Sequence, residues 1–227
     1  MHIEPGIVDG SKIAISYVSA AALFCFTART FLIDLLKKNI GRLTVGCLVT
    51  TLITFISFEF LPHPTVAVSE VHLILGSTLL LIFGFPATAF GMALGLLLQG
   101  VLFSPFDLPQ YGMNVTTLLA SLWVTATIAK SLISSGVRYC DITYKDALKL
   151  SVLFQGSIVT WVAFWVVLGQ GFSMTTLTSL IAFGLAYVPV VAIEVIVSIS
   201  LLYFLRTTKE TRFQKIFNSR LFHPHVA

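Results

Sequence analysis

The sequence predicts an all-α protein, a polytopic membrane bundle of about seven transmembrane helices with the N-terminus outside and the C-terminus cytoplasmic. Three observations carry that prediction. Of 227 residues, 56% are hydrophobic and only 11% charged, with a mean hydropathy of +0.93, more apolar surface than a soluble domain of this size can hide from water. The apolar runs are about 20 residues long with short polar stretches between them, the length at which a helix crosses roughly 30 Å of hydrocarbon. The ten-residue alternation of a membrane β-barrel is absent. Finally, the basic residues sort to one side of the spans.

In chain order the spans are read at 13–33, 43–61, 70–85, 86–103, 113–135, 147–169 and 176–205. Residues 70–103 are too long for one crossing. They are divided at Gly84-Phe85-Pro86, where proline removes a backbone donor and disfavours helix in the residue before it. With seven spans and the N-terminus outside, Arg29, Lys37, Lys38, Arg42, Lys130, Arg138, Lys145, Lys149, Arg206, Lys209, Arg212, Lys215 and Arg220 all fall inside, leaving Lys12 outside. That is the asymmetry expected of loops that resist translocation. No linker or low-complexity tract divides the chain, so the organisation is an extracytoplasmic N-terminal segment at 1–12, a helical bundle at 13–205 and a basic cytoplasmic tail at 206–227.

The first twelve residues have neither a basic leader nor a small-residue cleavage site, so they do not read as a cleaved signal. The expectation is a free amine on Met1 beside the His2 imidazole, facing outward. An α-amine, the next backbone amide and the imidazole of a second-position histidine can close two fused chelate rings around one metal ion. A further histidine completes a four-nitrogen plane, a field that suits Ni²⁺ or Cu²⁺, Co²⁺ less strongly, and tetrahedral Zn²⁺ poorly. The candidate is His72, which follows Glu70 at the outer mouth of the third span. An ionisable group at such a boundary is a functional hypothesis by default, although an interfacial histidine can also simply reach toward water.

The start Met1-His2-Ile3 with Gly6, then Val71-His72-Leu73, the run from Leu96 through Gln99-Gly100 to Phe103, Gly112-Met113-Asn114, and Val188-Pro189-Val190 with Ile193-Glu194 and Phe204-Leu205-Arg206 follow one another in a definite order. Together they resemble the substrate-binding membrane subunit, the CbiM/NikM-like S component, of cobalt/nickel energy-coupling-factor transporters. The resemblance implies that the transported ion, nickel or cobalt, is held by the Met1 amine, the His2 amide and imidazole, and His72. It also implies that Asn114 steadies the N-terminal segment. The surroundings depart from the family's pattern: Glu4 precedes Pro5, Val68-Ser69-Glu70 leads to His72, and Ser104-Pro105-Phe106-Asp107 replaces a histidine-glycine loop. Glu70 is therefore added as a carboxylate near the ion.

The remaining polar residues have quieter readings. Glu59 and Glu194 are either proton-relay groups or interior carboxylates hydrogen-bonded to neighbouring helices, with the second favoured. Ser16 with Ala20, and Gly91 with Gly95, have the small-xxx-small spacing of close helix contacts, with a partner subunit or within the bundle. Cys25, Cys47 and Cys140 lack C-x-x-C spacing and read as structural thiols. His63, in an outer loop, and His223 and His225, in the tail, receive no ligand role. In the tail, Phe213, Ile216, Phe217, Leu221 and Phe222 interleave with basic residues, a pattern for an amphipathic helix on anionic lipid rather than for nucleic acid.

No G-x-x-x-x-G-K-[ST] phosphate loop and no H-E-x-x-H or G-x-S-x-G motif occurs, so the chain reads as a transport component and not as an enzyme or an ATPase. The resemblance implies partners that hydrolyse ATP: a coupling transmembrane subunit and cytoplasmic ATPases, with a small accessory membrane subunit in some members. It also implies residence in a bacterial inner membrane. The alternative is a self-sufficient transporter driven by an ion gradient, titrating through Glu59 or Glu194. A membrane scaffold or sensor that transports nothing is a third reading.

Overall fold

The structure, a computed structural model, describes residues 3–8, 10–36, 40–207 and 216–224. Helices α1 (Ser11–Leu36), α2 (Ile40–Glu59), α4 (Phe85–Leu102), α5 (Tyr111–Leu132) and α6 (Tyr144–Gln170) are long single rods. A short α3 (Gly76–Phe83) precedes α4, and the last span is built from α7 (Met174–Ala186) and α8 (Val188–Thr207). A one-turn α9 (Ser219–Phe222) closes the described chain. Among the described residues, six segments are long and apolar enough to cross a membrane, counting Met174–Thr207 as one.

The expected third span, 70–85, is corrected. Its first part is not helical: a two-stranded hairpin, β1 (Thr65–Val66) and β2 (Ser69–Glu70), leads into irregular backbone from Val71 to Leu75 before α3 begins. The hairpin turns at Ala67, which sits in the left-handed region at φ 57°. Eight helical residues rise only about 12 Å, so α3 alone does not traverse the hydrocarbon. Irregular backbone survives at membrane depth only where protein satisfies its polar groups, and here it does. The Ile74 carbonyl accepts from Gln155 Nε2 at 2.7 Å, and Val71 N–H donates to the Pro64 carbonyl at 3.0 Å. Hydropathy cannot register such pairing, which is why a full helix was expected.

The break at Gly84 is as anticipated. Gly84 takes φ 82°, and Pro86 occupies the first turn of α4, where its missing donor is one the helix would leave unpaired anyway. The last span differs from expectation by its interruption at Tyr187, just before Pro189.

Small residues set the tightest helix contacts. A Cβ on Gly91 would meet Thr50 Oγ1 at 1.8 Å and one on Gly95 the Thr51 carbonyl at 2.7 Å, so α4 lies directly on α2. Thr50 Oγ–H reinforces this contact by donating to the Ala87 carbonyl at 2.9 Å. Ser16 and Ala20 are buried, with Ser16 against Gly112 of α5. Both small-residue pairs therefore pack within the bundle. The main apolar core runs through α3, α4, α5, α6 and α8, while α1 is largely exposed, with Val18 and Leu36 open to the surroundings.

The two ends of the bundle differ in charge. At one end the N-terminal segment lies against the start of α5 and the end of α6. At the other, Arg138 and Arg206 both pair with Asp141, and the guanidinium of Arg138 is held protonated above its ordinary value, chiefly by that carboxylate. The described part of the tail beyond residue 215 docks here instead of lying free on a surface. Asn218 N–H donates to the Ile82 carbonyl at 2.7 Å. Arg220, 8% exposed, donates from Nη2 to the carbonyls of Ile133 at 2.8 Å and Ser134 at 2.9 Å. Residues 208–215 and His225 lie outside the described residues. Asp34 and Arg42 pair at 2.6 Å, joining α1 to α2.

Candidate functional site

The N-terminal segment is threaded into the bundle. Ile3 is fully buried and Val8 is 1% exposed, and with Met113 and Trp165 they form a small apolar cluster separate from the main core. Backbone polar groups must be paired once water is excluded, and those of this segment are shared among three elements. Ile3 forms an antiparallel bridge with Ser69, and its N–H donates to Asn114 Oδ1 at 3.3 Å. Glu4 N–H donates to the Val68 carbonyl at 3.4 Å. Further on, Lys12 Nζ reaches the Gly169 carbonyl at 3.1 Å, and Gly169 itself leaves room for the Ile7 carbonyl, which would stand 2.1 Å from any Cβ there.

Asn114, 1% exposed at the start of α5, thus meets the segment directly. Met1 and His2 lie outside the described residues, but Ile3, the next residue, is held beside the strand that carries Glu70. His72, fully buried, stands two residues beyond Glu70, and its Nε2 is 3.4 Å from Glu70 Oε2. Its ring packs on Phe58, centroids 4.4 Å apart.

A second imidazole is present that the sequence reading set aside. His63 stacks on His72 with centroids 5.2 Å apart and planes within 2°. Its Nδ1 lies 2.8 Å from the Leu61 carbonyl. A carbonyl only accepts, so Nδ1 carries the hydrogen and the neutral ring keeps its lone pair on Nε2. The hairpin folds residue 63 back over residue 72. The only sequence signal was their separation of nine positions around a turn.

The two interior carboxylates fall elsewhere. Glu59, half-buried at the end of α2, lies 3.4 Å from Gln99 Nε2, next to the site through Phe58 but not in it. Glu194 is fully buried and accepts hydrogen bonds from Ser77, Ser151 and Gln155, as the favoured interior reading anticipates. Among the described residues, no group of three or more His, Cys, Asp or Glu side chains is arranged to hold a metal ion. The described residues therefore contribute one end of a candidate site: an imidazole with a carboxylate at its edge, facing a pinned N-terminal segment.

Among the described residues, six segments long and apolar enough to cross a membrane, packed as one helical bundle, define a multi-pass membrane protein. Residues 2–212 match the family model described as the cobalt uptake substrate-specific transmembrane region (CbiM), and the chain belongs to that family. No curated protein and no solved structure matches it. Family membership makes it a membrane component of cobalt uptake, a transport component rather than an enzyme.

Proposed function

We propose that this chain is the substrate-capture subunit of a nickel or cobalt uptake transporter, loading the ion from outside and relying on partner ATPases and a coupling transmembrane subunit for its release inward. The ion is held by the Met1 amine, the His2 amide and imidazole, and His72, with Asn114 fixing the segment and Glu70 orienting His72 through its edge. The observation that carries the reading is the fixing of Ile3, which anchors the chain immediately after His2 to Ser69 and Asn114, on the hairpin that leads to His72. The bundle end that carries this segment is then the outer one. The opposite end, with Arg138, Arg206 and Arg220, faces the cytoplasm, in keeping with basic residues held inside.

Ligation by an amine and an amide releases protons, because the α-amine titrates near pH 8 (about 7.7–8.0 in unperturbed chains). Lowering the pH through that range protonates the amine and opposes the metal, so affinity falls by about tenfold per pH unit for each proton displaced. An affinity that stays level between roughly pH 6 and 8 speaks against amine ligation.

Elemental analysis of purified protein tests the ligand set. The native chain is expected to retain nickel or cobalt, and a version with one alanine before Met1 and a His72→Ala version to lose it. Full retention by the alanine-extended chain refutes the N-terminal chelate. The gradient-driven alternative predicts uptake without any ATPase, abolished by Glu194→Gln. The sealed, fully hydrogen-bonded environment of Glu194 does not favour it.

A further inference from the structure

Among the described residues, Glu194 is the one carboxylate buried at the heart of the bundle, and the capture reaction has no direct use for it. Its Oε1 accepts from Ser77 N–H at 2.9 Å and Ser77 Oγ–H at 2.8 Å, both in the first turn of α3. Its Oε2 accepts from Ser151 Oγ–H at 2.7 Å and Gln155 Nε2 at 2.9 Å, both on α6. Gln155 Nε2 also donates to the Ile74 carbonyl at 2.7 Å. One side chain of α8 thus governs both ends of the stretch from Ile74 to Ser77, which begins two residues after His72.

Hydroxyl donors can turn and become acceptors, but two of these donors cannot. The Ser77 backbone N–H is fixed, and Gln155 Nε2 is committed to Ile74. They approach opposite oxygens of Glu194, so position 194 must accept on both sides. A carboxyl group does this; a carboxamide cannot, since its NH₂ has no lone pair to offer. With glutamine at 194, an NH₂ turned toward α3 strands the Ser77 N–H. An NH₂ turned toward α6 meets the Gln155 NH₂ donor to donor, so that either one buried N–H is left unpaired or the Gln155 amide turns over and strands the Ile74 carbonyl. In each case a buried polar group of the network loses its partner where no water can replace it.

The network does not serve chiefly to join α6 to α8, which already share the main apolar core through Phe154, Ile158, Val195 and Leu202. What it holds besides is the stretch from Ile74 to Ser77 that leads into α3. We propose that Glu194 is a positioning residue for metal capture: by holding Ser77 directly and Ile74 through Gln155, it sets where His72 stands relative to Glu70 and the N-terminal segment. This role rests on the assignment of His72 as a ligand made above.

The test titrates Co²⁺ into full-length protein in detergent micelles, with the melting temperature of the metal-free protein measured alongside. Glu194→Gln is expected to weaken Co²⁺ binding by roughly tenfold or more, the scale of one buried polar group left unpaired. Gln155→Met, similar in size but unable to hold Ile74, should weaken it likewise. Gly156→Ala, whose added Cβ meets nothing within 4 Å, should stay within about twofold of the parent. A Glu194→Gln protein that melts lower yet binds Co²⁺ as the parent does overturns the proposal, because it shows a packing role only. Should that variant not fold, parental affinity in Gln155→Met overturns it equally. His72→Ala separates the two ideas. If it abolishes binding while Glu194→Gln does not, the ligand assignment stands and the positioning role falls; if it binds as the parent does, the ligand assignment fails and the positioning role with it.

Discussion

Replacing Gly169 with alanine tests whether the N-terminal segment must lie against α6 for the ion to be held. The added Cβ would stand 2.1 Å from the Ile7 carbonyl oxygen and 2.9 Å from Val8 Cγ2, whereas ordinary contact begins near 3.4 Å. The Ile7 carbonyl must therefore withdraw by about 1.3 Å, or α6 must move by as much. The hydrogen bonds that tether the segment have little slack: Ile3 to Asn114 spans 3.3 Å, Glu4 to Val68 3.4 Å and Ile7 to Glu4 3.2 Å. A shift of that size breaks at least one of them. Overpacking of this kind costs about 1–3 kcal/mol. If that cost falls on the capture-ready conformation, Co²⁺ affinity drops roughly 5- to 150-fold at 1.4 kcal/mol per tenfold. The assay is competition with a chelating dye, with thermal melting of the metal-free protein in parallel. Gly156→Ala serves as the control, since a Cβ there meets nothing within 4 Å. A Gly169→Ala protein with parental affinity and melting temperature refutes the reasoning, because it shows that the segment does not need this contact.

Three further outcomes follow from the packing. Gly91→Ala drives a Cβ to 1.8 Å from Thr50 Oγ1 and should lower stability by about 1–3 kcal/mol; adding Thr50→Ala should recover part of the loss in a thermal-melting series. Arg220→Ala removes donors to Ile133, Ser134 and Tyr139, leaving the buried Ile133 carbonyl unpaired at about 1–3 kcal/mol. Melting should fall while Co²⁺ affinity holds, and Arg220→Lys, lacking the planar fork, should not restore it. At Cys140, 6% exposed, burial foremost and then Asp141 push the thiol pKa above its ordinary value of 9.0. Since the thiolate is the reactive form, alkylation of Cys140 should still be accelerating above pH 9, whereas in unfolded protein it levels off near the ordinary value; a folded-state profile that matches the unfolded one would contradict the burial.

Much of the architecture was legible because it depends on composition and local chemistry. The apolar runs marked the long helices, and Gly84 with Pro86 marked the break between α3 and α4, because a positive φ and a missing donor act wherever they occur. The interruption at Tyr187 carried the same kind of signal in Pro189, which the hydropathy of Met174–Thr207 masked. Asn114 entered through the resemblance as a group steadying the N-terminal segment; in the structure its Oδ1 accepts from Ile3 N–H at 3.3 Å. His63 was set aside as a loop residue because nothing local says that a hairpin will lay it on His72.

The sequence by itself determined the solvent: with so few charges and such long apolar runs, only lipid can surround this chain, and helices must satisfy their own backbone. It also marked His72 as a residue out of place at the mouth of an apolar span. Only the tertiary structure decided that residues 71–75 are not helical, that α3 is half a span, and that Glu194 holds its start. Whether a backbone group needs a helix depends on what neighbouring helices offer it, and that offer is set by their rotation and separation, which hydropathy along one strand of sequence does not contain.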